Sequence, residues 1–129
     1  MSTNTTTLLF TAPGASFTHE LVSSPAPTPR NTEVVIKNKA IAINPLDYKR
    51  IAYNVMVNKW PTSGGFEVSG IVEAVGAAVS HVEIGDEVVG LAGGSGAESF
   101  GFQERTRTAA AGVVRKPRNL TFEEAVSIP

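Results

Sequence analysis

The stretch from Gly64 to Gly90, GGFEVSGIVEAVGAAVSHVEIGDEVVG, restricts what this chain can fold into more than any other. It reads as a long strand, a turn, and a second strand opened by Gly85-Asp86. From Phe66 to Gly76 the residues alternate: Phe66, Val68, Gly70, Val72, Ala74 and Gly76 fall on one face, and Glu67, Ser69, Ile71, Glu73 and Val75 on the other. The first face is small and apolar. A glycine in mid-strand gives up packing and entropy, so Gly70 marks a bulge, a bend at a barrel corner, or a close approach by another backbone or a ligand.

The remaining chain reads as short strands separated by breakers. Residues 1 to 7 are polar and threonine-rich and are expected to be disordered, ahead of a short strand at about Leu8 to Phe10. Pro13-Gly14 makes a turn, and a strand from about Phe17 to Val22 runs into SSPAPTPRN, whose closely spaced prolines withhold ladder donors and favour an extended surface loop. Thr32 to Ile43 is the next strand by its β-branched content, with Glu33, Lys37 and Lys39 on a solvated face. Asn44-Pro45 ends it and starts a helix, because asparagine suits an N-cap, proline fits the first helical position and Asp47 complements the dipole. That helix runs to about Tyr53, and the irregular segment NVMVNKWPTS follows. Beyond Gly90 comes a glycine-rich, mobile loop, then a weakly alternating strand from Ser99 to Thr106 and a last short one from Val113 to Arg115. Thr121-Phe122-Glu123-Glu124 is a capping-box pattern, so 121–129 reads as the start of a helix that leads onward.

Composition removes several functions. The 129 residues, 42% hydrophobic, suffice for one compact domain, which would bury roughly two thirds of its unfolded surface. Eleven basic against twelve acidic residues, with no block of like charge, give no footprint for nucleic acid or an anionic membrane. There is no cysteine, hence no disulfide, thiolate zinc site or thiol nucleophile. His19 and His81 are isolated and read as solvated. No signal peptide or membrane span is visible, and a soluble, cytoplasmic protein is the expectation. The run Gly93-Gly94-Ser95-Gly96 lacks the lysine and helix of a phosphate-binding loop. Glu67 and Asp47 would act as paired carboxylates only if the fold brought them together.

Three segments, taken in order, resemble the N-terminal, GroES-like half of the medium-chain dehydrogenase/reductase superfamily: AIAINPLDYK at 40–49, GGFEVSGIVEAVGAAVSHVEIGDEVVG at 64–90, and GFQERTRTAAAGVVRKPRNLTFEEAVSIP at 101–129. Within it the chain is most similar to zinc-independent enoyl and quinone reductases, in particular fungal trans-acting enoyl reductases that partner polyketide synthases. Zinc-dependent relatives carry a cysteine where this chain has Asn44 and a histidine where it has Phe66, within Gly65-Phe66-Glu67. Neither asparagine nor phenylalanine replaces a thiolate or an imidazole, so no metal site is expected.

The resemblance implies part of a two-part enzyme. Residues 8–120 are expected to form a mainly β, GroES-like, partly open barrel with short helices, cut before a Rossmann domain that binds NADPH through a glycine-rich turn. In the complete enzyme, hydride would pass from NADPH to an activated alkene in a small enoyl, quinone-type or polyketide substrate, and the enolate would be stabilised and protonated. By resemblance Asn44 lies at the cofactor or substrate carbonyl, and Lys49 and Tyr48 are the catalytic candidates, Lys49 for an electrostatic or proton-donating role. Bland roles stand beside these: Asn44 as a helix cap, Asp47 as a first-turn acid, Lys49 as a solvated lysine. Tyr53 competes with Tyr48 as the cleft tyrosine, and Glu67 is either structural or a remnant of the metal branch. Selectivity would come from the loops at 54–63 and 92–100. Lacking phosphate-binding glycines, the chain is expected to hold no NADPH and to be inactive alone. It reads as a fragment of a reductase, as a non-catalytic GroES-like binding or assembly module, or as half of an enzyme built from two chains; an oligomer is left open.

Overall fold

The computed structural model describes residues 4–94 and 96–128, and its sheets are antiparallel throughout. Its strands are β1 (Asn4–Phe10), β2 (His19–Pro25), β3 (Glu33–Ile41), β4 (Glu67–Val75), β5 (Glu87–Leu91), β6 (Arg105–Ala109) and β7 (Val113–Arg115). Two helices, α1 (Pro45–Tyr53) and α2 (Phe122–Val126), and two single 3₁₀ turns complete it. β1 and β2 form a hairpin, and the other strands form a five-stranded sheet in the order β6-β3-β4-β5-β7. The sheet does not close on itself, in keeping with a partly open barrel. No helix among the described residues is long and apolar enough to cross a membrane.

The core lies on the face predicted by the alternation of Val68 and Val72. These pack with Val34 and Ile36 of β3, Val88 of β5, Val113 of β7, Val82 and Ala110. Burying such side chains stabilises the fold by about 1.5–3 kcal/mol each. Two residues depart from the simple alternation. Val75, expected on the outer face, packs against the core, because the pairing slips between Val35↔Ala74 and Ile36↔Val72 and leaves Glu73 as an extra residue. Ser69, also on the outer face, is fully buried because α2 covers it, and its hydroxyl donates to the Phe122 carbonyl at 2.7 Å. A second slip, between Asn38↔Gly70 and Ala40↔Ser69, leaves Lys39 unpaired in β3. Gly70 is therefore a place of close backbone approach: a β-carbon there would strike the Lys37 carbonyl.

The expectation of disorder through residue 7 is corrected for residues 4–7. They are strand, paired with Val22 to Pro25, and the threonines are what hold them. Thr7 Oγ1 donates to Gln103 Oε1 at 2.9 Å, and Thr5 Oγ1 accepts from the Arg105 amide at 3.1 Å. Residues 1–3 lie outside the described part. The strand expected over Ser99 to Thr106 is also displaced: 97–99 form a 3₁₀ turn, Gln103 makes an isolated bridge to Thr7, and β6 begins only at Arg105. Asn38 explains the interruption, since its side-chain amide nitrogen, with two hydrogens to share, lies within hydrogen-bond distance of the Gly101 and Gln103 carbonyls and Thr106 Oγ1, taking the place of a ladder.

Glu104 carries a pH dependence. Its carboxylate accepts from the Thr6 backbone amide at 2.8 Å, and that bond, with the Thr6 side chain, Arg105 and Lys37 helping, holds it below its ordinary range. A carboxyl whose folded value is depressed adds stability above the unfolded value, and that stability is lost as pH falls through the folded one. Melting curves should show the wild type exceeding Glu104→Gln at neutral pH, with the two converging in acid. A difference that persists unchanged into acid would remove Glu104 from the account.

Candidate functional site

Helix α1 has the predicted bounds, and its ends explain why. Asn44 sits in extended backbone (φ −118°, ψ 162°), Pro45 follows at the first helical position, and Asn54 takes the left-handed conformation (φ 53°, ψ 46°) that asparagine tolerates at a helix end. Asn44 is the N-cap, as expected, and Asp47 at the third helical position completes a capping box with it: Asp47 Oδ2 accepts from the Asn44 backbone amide at 2.7 Å. The Asn44 side chain also reaches a neighbouring strand, where Nδ2 donates to Glu67 Oε2 at 3.3 Å.

Asp47 does more than cap. It is 3% exposed, and its other oxygen, Oδ1, accepts from the Gly65 amide at 2.9 Å. Gly65 has φ +91°, and a β-carbon there would meet Gly101 Cα at 3.0 Å and the Phe102 ring at 2.9 Å, so glycine is required on both counts. One carboxylate thus fixes the start of α1 to the segment Gly64-Gly65-Phe66-Glu67. Glu67 and Asp47 are linked through Asn44, which donates to both: its side chain to Glu67 and its backbone amide to Asp47.

The catalytic candidates lie on the other side of the helix. Tyr48 is 48% exposed and Lys49 is exposed, and neither side chain forms a hydrogen bond or ion pair among the described residues. Tyr53 is exposed as well, and the structure leaves it level with Tyr48. The inward positions of α1 are Asp47, Arg50 and Ile51. His19 and His81 each contact a backbone carbonyl, of Phe17 and Val113 respectively.

Arg50 does not stand out in the sequence, yet it is the most constrained charge near the site. It is 4% exposed; Nη1 donates to the Ser63 carbonyl at 2.9 Å and Nε to that of Met56 at 3.4 Å. Its guanidinium lies 5.4 Å from the centre of the Phe66 ring and 5.0 Å from that of Phe100. Burial pulls its proton affinity below the ordinary value, and the Asp47 charge draws it back up. The signal for it was the i, i+3, i+4 spacing of Asp47, Arg50 and Ile51, which puts a polar pair on the inward face of a short helix. Arg50 lines a cavity of about 370 Å³ between the two loops at 54–63 and 92–100, with Met56, Phe66, Gly93, Gly94 and Phe100 also in its wall. Ser95 lies outside the described residues.

Comparison with known proteins settles the family. Residues 30–127 match the alcohol dehydrogenase GroES-like domain. The chain belongs to that family. Among curated proteins it is 37% identical over 112 residues to trans-enoyl reductase RAP2 of Pyricularia oryzae, a match covering 82% of this chain and 30% of that one. Among solved structures it superposes on a quinone oxidoreductase from Coxiella burnetii with a TM-score of 0.86 at 29% identity, covering 98% of this chain and 41% of the other. An Escherichia coli quinone oxidoreductase complexed with NADPH gives 0.84 at 28% identity, over 96% of this chain and 37% of the other. The GroES-like domain of an enoyl- or quinone-reductase-like member of the medium-chain superfamily is therefore what the chain contains, and it spans less than half the length of each of these relatives.

Proposed function

We propose that this GroES-like chain is the catalytic-domain half of a metal-free, NADPH-dependent oxidoreductase of enoyl- or quinone-reductase type, working in the cytoplasm on a small enoyl, quinone or polyketide-derived substrate. The observation that carries the reading is the Asn44–Glu67 hydrogen bond at the head of α1, next to Phe66. At the two positions where zinc-dependent relatives hold a thiolate and an imidazole, this chain offers an amide already engaged with Glu67 and a phenyl ring stacked near Arg50. Neither is a zinc ligand.

The cofactor, when bound, supplies hydride to the activated alkene or quinone. Asn44, half-buried, keeps a second amide hydrogen for the nicotinamide carboxamide or a substrate carbonyl. Tyr48 donates from its hydroxyl to the carbonyl oxygen of the substrate. Lys49, the next residue, opposes the negative charge that develops there and supplies the proton. Both are exposed in this chain and act once a second body covers them. Such a body, a Rossmann half holding the dinucleotide phosphates, has a surface to meet: an apolar groove of about 480 Å³ runs between β5, β7 and α2, with Leu91, Val114 and Ile128 more than half exposed along it.

The test has two arms. NADPH fluorescence titration of the 129-residue chain alone is expected to show no saturable binding. In protein completed by a dinucleotide-binding half, NADPH oxidation should depend on an enone or quinone, persist after chelation, and fall about a hundredfold in kcat for Lys49→Ala. Turnover abolished by chelators would overturn the metal-free reading, and unchanged kinetics would return Lys49 to the solvent.

A further inference from the structure

Arg50 is a buried cation whose charge is answered by no carboxylate within ion-pair distance among the described residues. Two backbone carbonyls take Nε and Nη1, two phenyl rings flank the group, and Nη2 has no hydrogen-bond partner among the described residues. The Asp47 charge offsets its burial only in part and from beyond ion-pair distance, and an arriving anion recovers more of that cost. The side chain lines the cavity of about 370 Å³ between the two loops, a volume within the range of about 300–1,000 Å³ typical of small-molecule sites. Lys59 also borders it, and no acidic side chain lines it among the described residues. Gly93 and Gly94 keep one wall free of side chains, while Phe66 and Phe100 stand edge to face at 5.8 Å and supply flat apolar surface.

We propose that this cavity binds a small planar carboxylate, an aryl or enoic acid, whose anion meets Arg50 Nη2 and whose flat carbon skeleton lies against Phe66 and Phe100. The guanidinium is a planar donor matched to a carboxylate, and a charge-assisted bond in a partly dry site is stronger than its neutral counterpart. The rings add a stacking surface that favours an unsaturated skeleton over a branched one. Asn44, Tyr48 and Lys49 do not line this cavity, but its walls are the loops expected to set selectivity, so the inference deepens the reductase reading and rests on it for the role of the bound acid.

Cinnamate and its neutral isostere cinnamamide are suitable probes, titrated into the isotopically labelled 129-residue chain with amide and arginine Nε–H signals as the readout. Cinnamate is expected to give saturable shifts at Gly93, Gly94, Gly96 and Arg50, and to bind about tenfold or more tightly than cinnamamide. Gly94 has room for a side chain, since its nearest neighbour to a β-carbon is Ser99 at 3.8 Å. Gly94→Leu should therefore keep the folded spectrum and weaken cinnamate about tenfold or more by filling the cavity. Equal affinity for the amide, shifts centred away from the cavity, no saturable shift, or undiminished binding by Gly94→Leu would each overturn the proposal. NADPH-dependent turnover is read separately, so that failure would leave the reductase reading where it stands.

Discussion

Gly70→Ala is expected to destabilise this domain by about 3 kcal/mol or more, a large part of the stability of a typical domain. The reason is geometric. A β-carbon at position 70 points into the Lys37 carbonyl and carbon and lies 3.0 Å from Asn38 Cα, all of it backbone of the paired strand β3. A flexible side chain would swing aside; a backbone in mid-sheet moves only by breaking its ladder. The neighbours are also fixed from the far side, because β3 is clamped between β4 and β6 and Asn38 is tied to three further groups. Gly94→Ala supplies the contrast, with only ordinary contacts at 3.8 Å, and should change stability by no more than about 0.5 kcal/mol. Urea unfolding of the two variants decides the matter: similar small losses for both would show that β3 yields at Lys37.

The second large effect belongs to Asp47→Ala, expected to cost about 3 kcal/mol or more. Removing the carboxylate strands the amides of Asn44 and Gly65, at 2.7 and 2.9 Å, and takes away the negative charge that offsets the burial of Arg50. Buried donors without acceptors cost the full desolvation of the group, and here two are lost at once with a charge. Asp47→Asn keeps the shape and one acceptor, so it should lose about half as much. Hydrogen exchange at the Gly65 amide is the specific readout, and protection unchanged in Asp47→Ala would show that the bond does not hold that segment. The effect reaches the candidate site, since the same carboxylate sets where Asn44 stands relative to Glu67.

Much of this fold could be read from residue patterns. The bounds of α1 followed from Asn44-Pro45 and those of β7 from Val113 to Arg115, and the capping box at Thr121 closes with bonds of 2.9 and 3.1 Å between Thr121 and Glu124. Local rules govern these, so local sequence suffices. The departures come from contacts distant in sequence. Residues 4–7 are ordered by Gln103, Glu104 and Arg105, about a hundred positions away. Val75 reaches the core through a pairing slip that no alternation reveals. At the site, Asn44, Tyr48 and Lys49 were legible as a motif, but the second bond of Asp47 depends on where Gly65 stands. The inward place of Arg50 was legible from its spacing to Asp47 and Ile51, whereas its importance was not, since that comes from Ser63, Phe66 and Phe100, which only the folded chain places around it.

The two unpaired residues of the central strand pair, Glu73 and Lys39, behave as a dislocation and its opposite. Crossing the first slides β3 by one position against β4, and crossing the second slides it back, so only the pairs Ile36↔Val72, Lys37↔Ile71 and Asn38↔Gly70 run out of step. The ends of the ladder are in the alignment they would have had with no defect between them. Ile41 faces Val68, and Asn44 and Glu67 meet just beyond that pair. Distortion around Gly70 is thus quarantined within three rungs, and the end of the ladder that carries the candidate site inherits none of it.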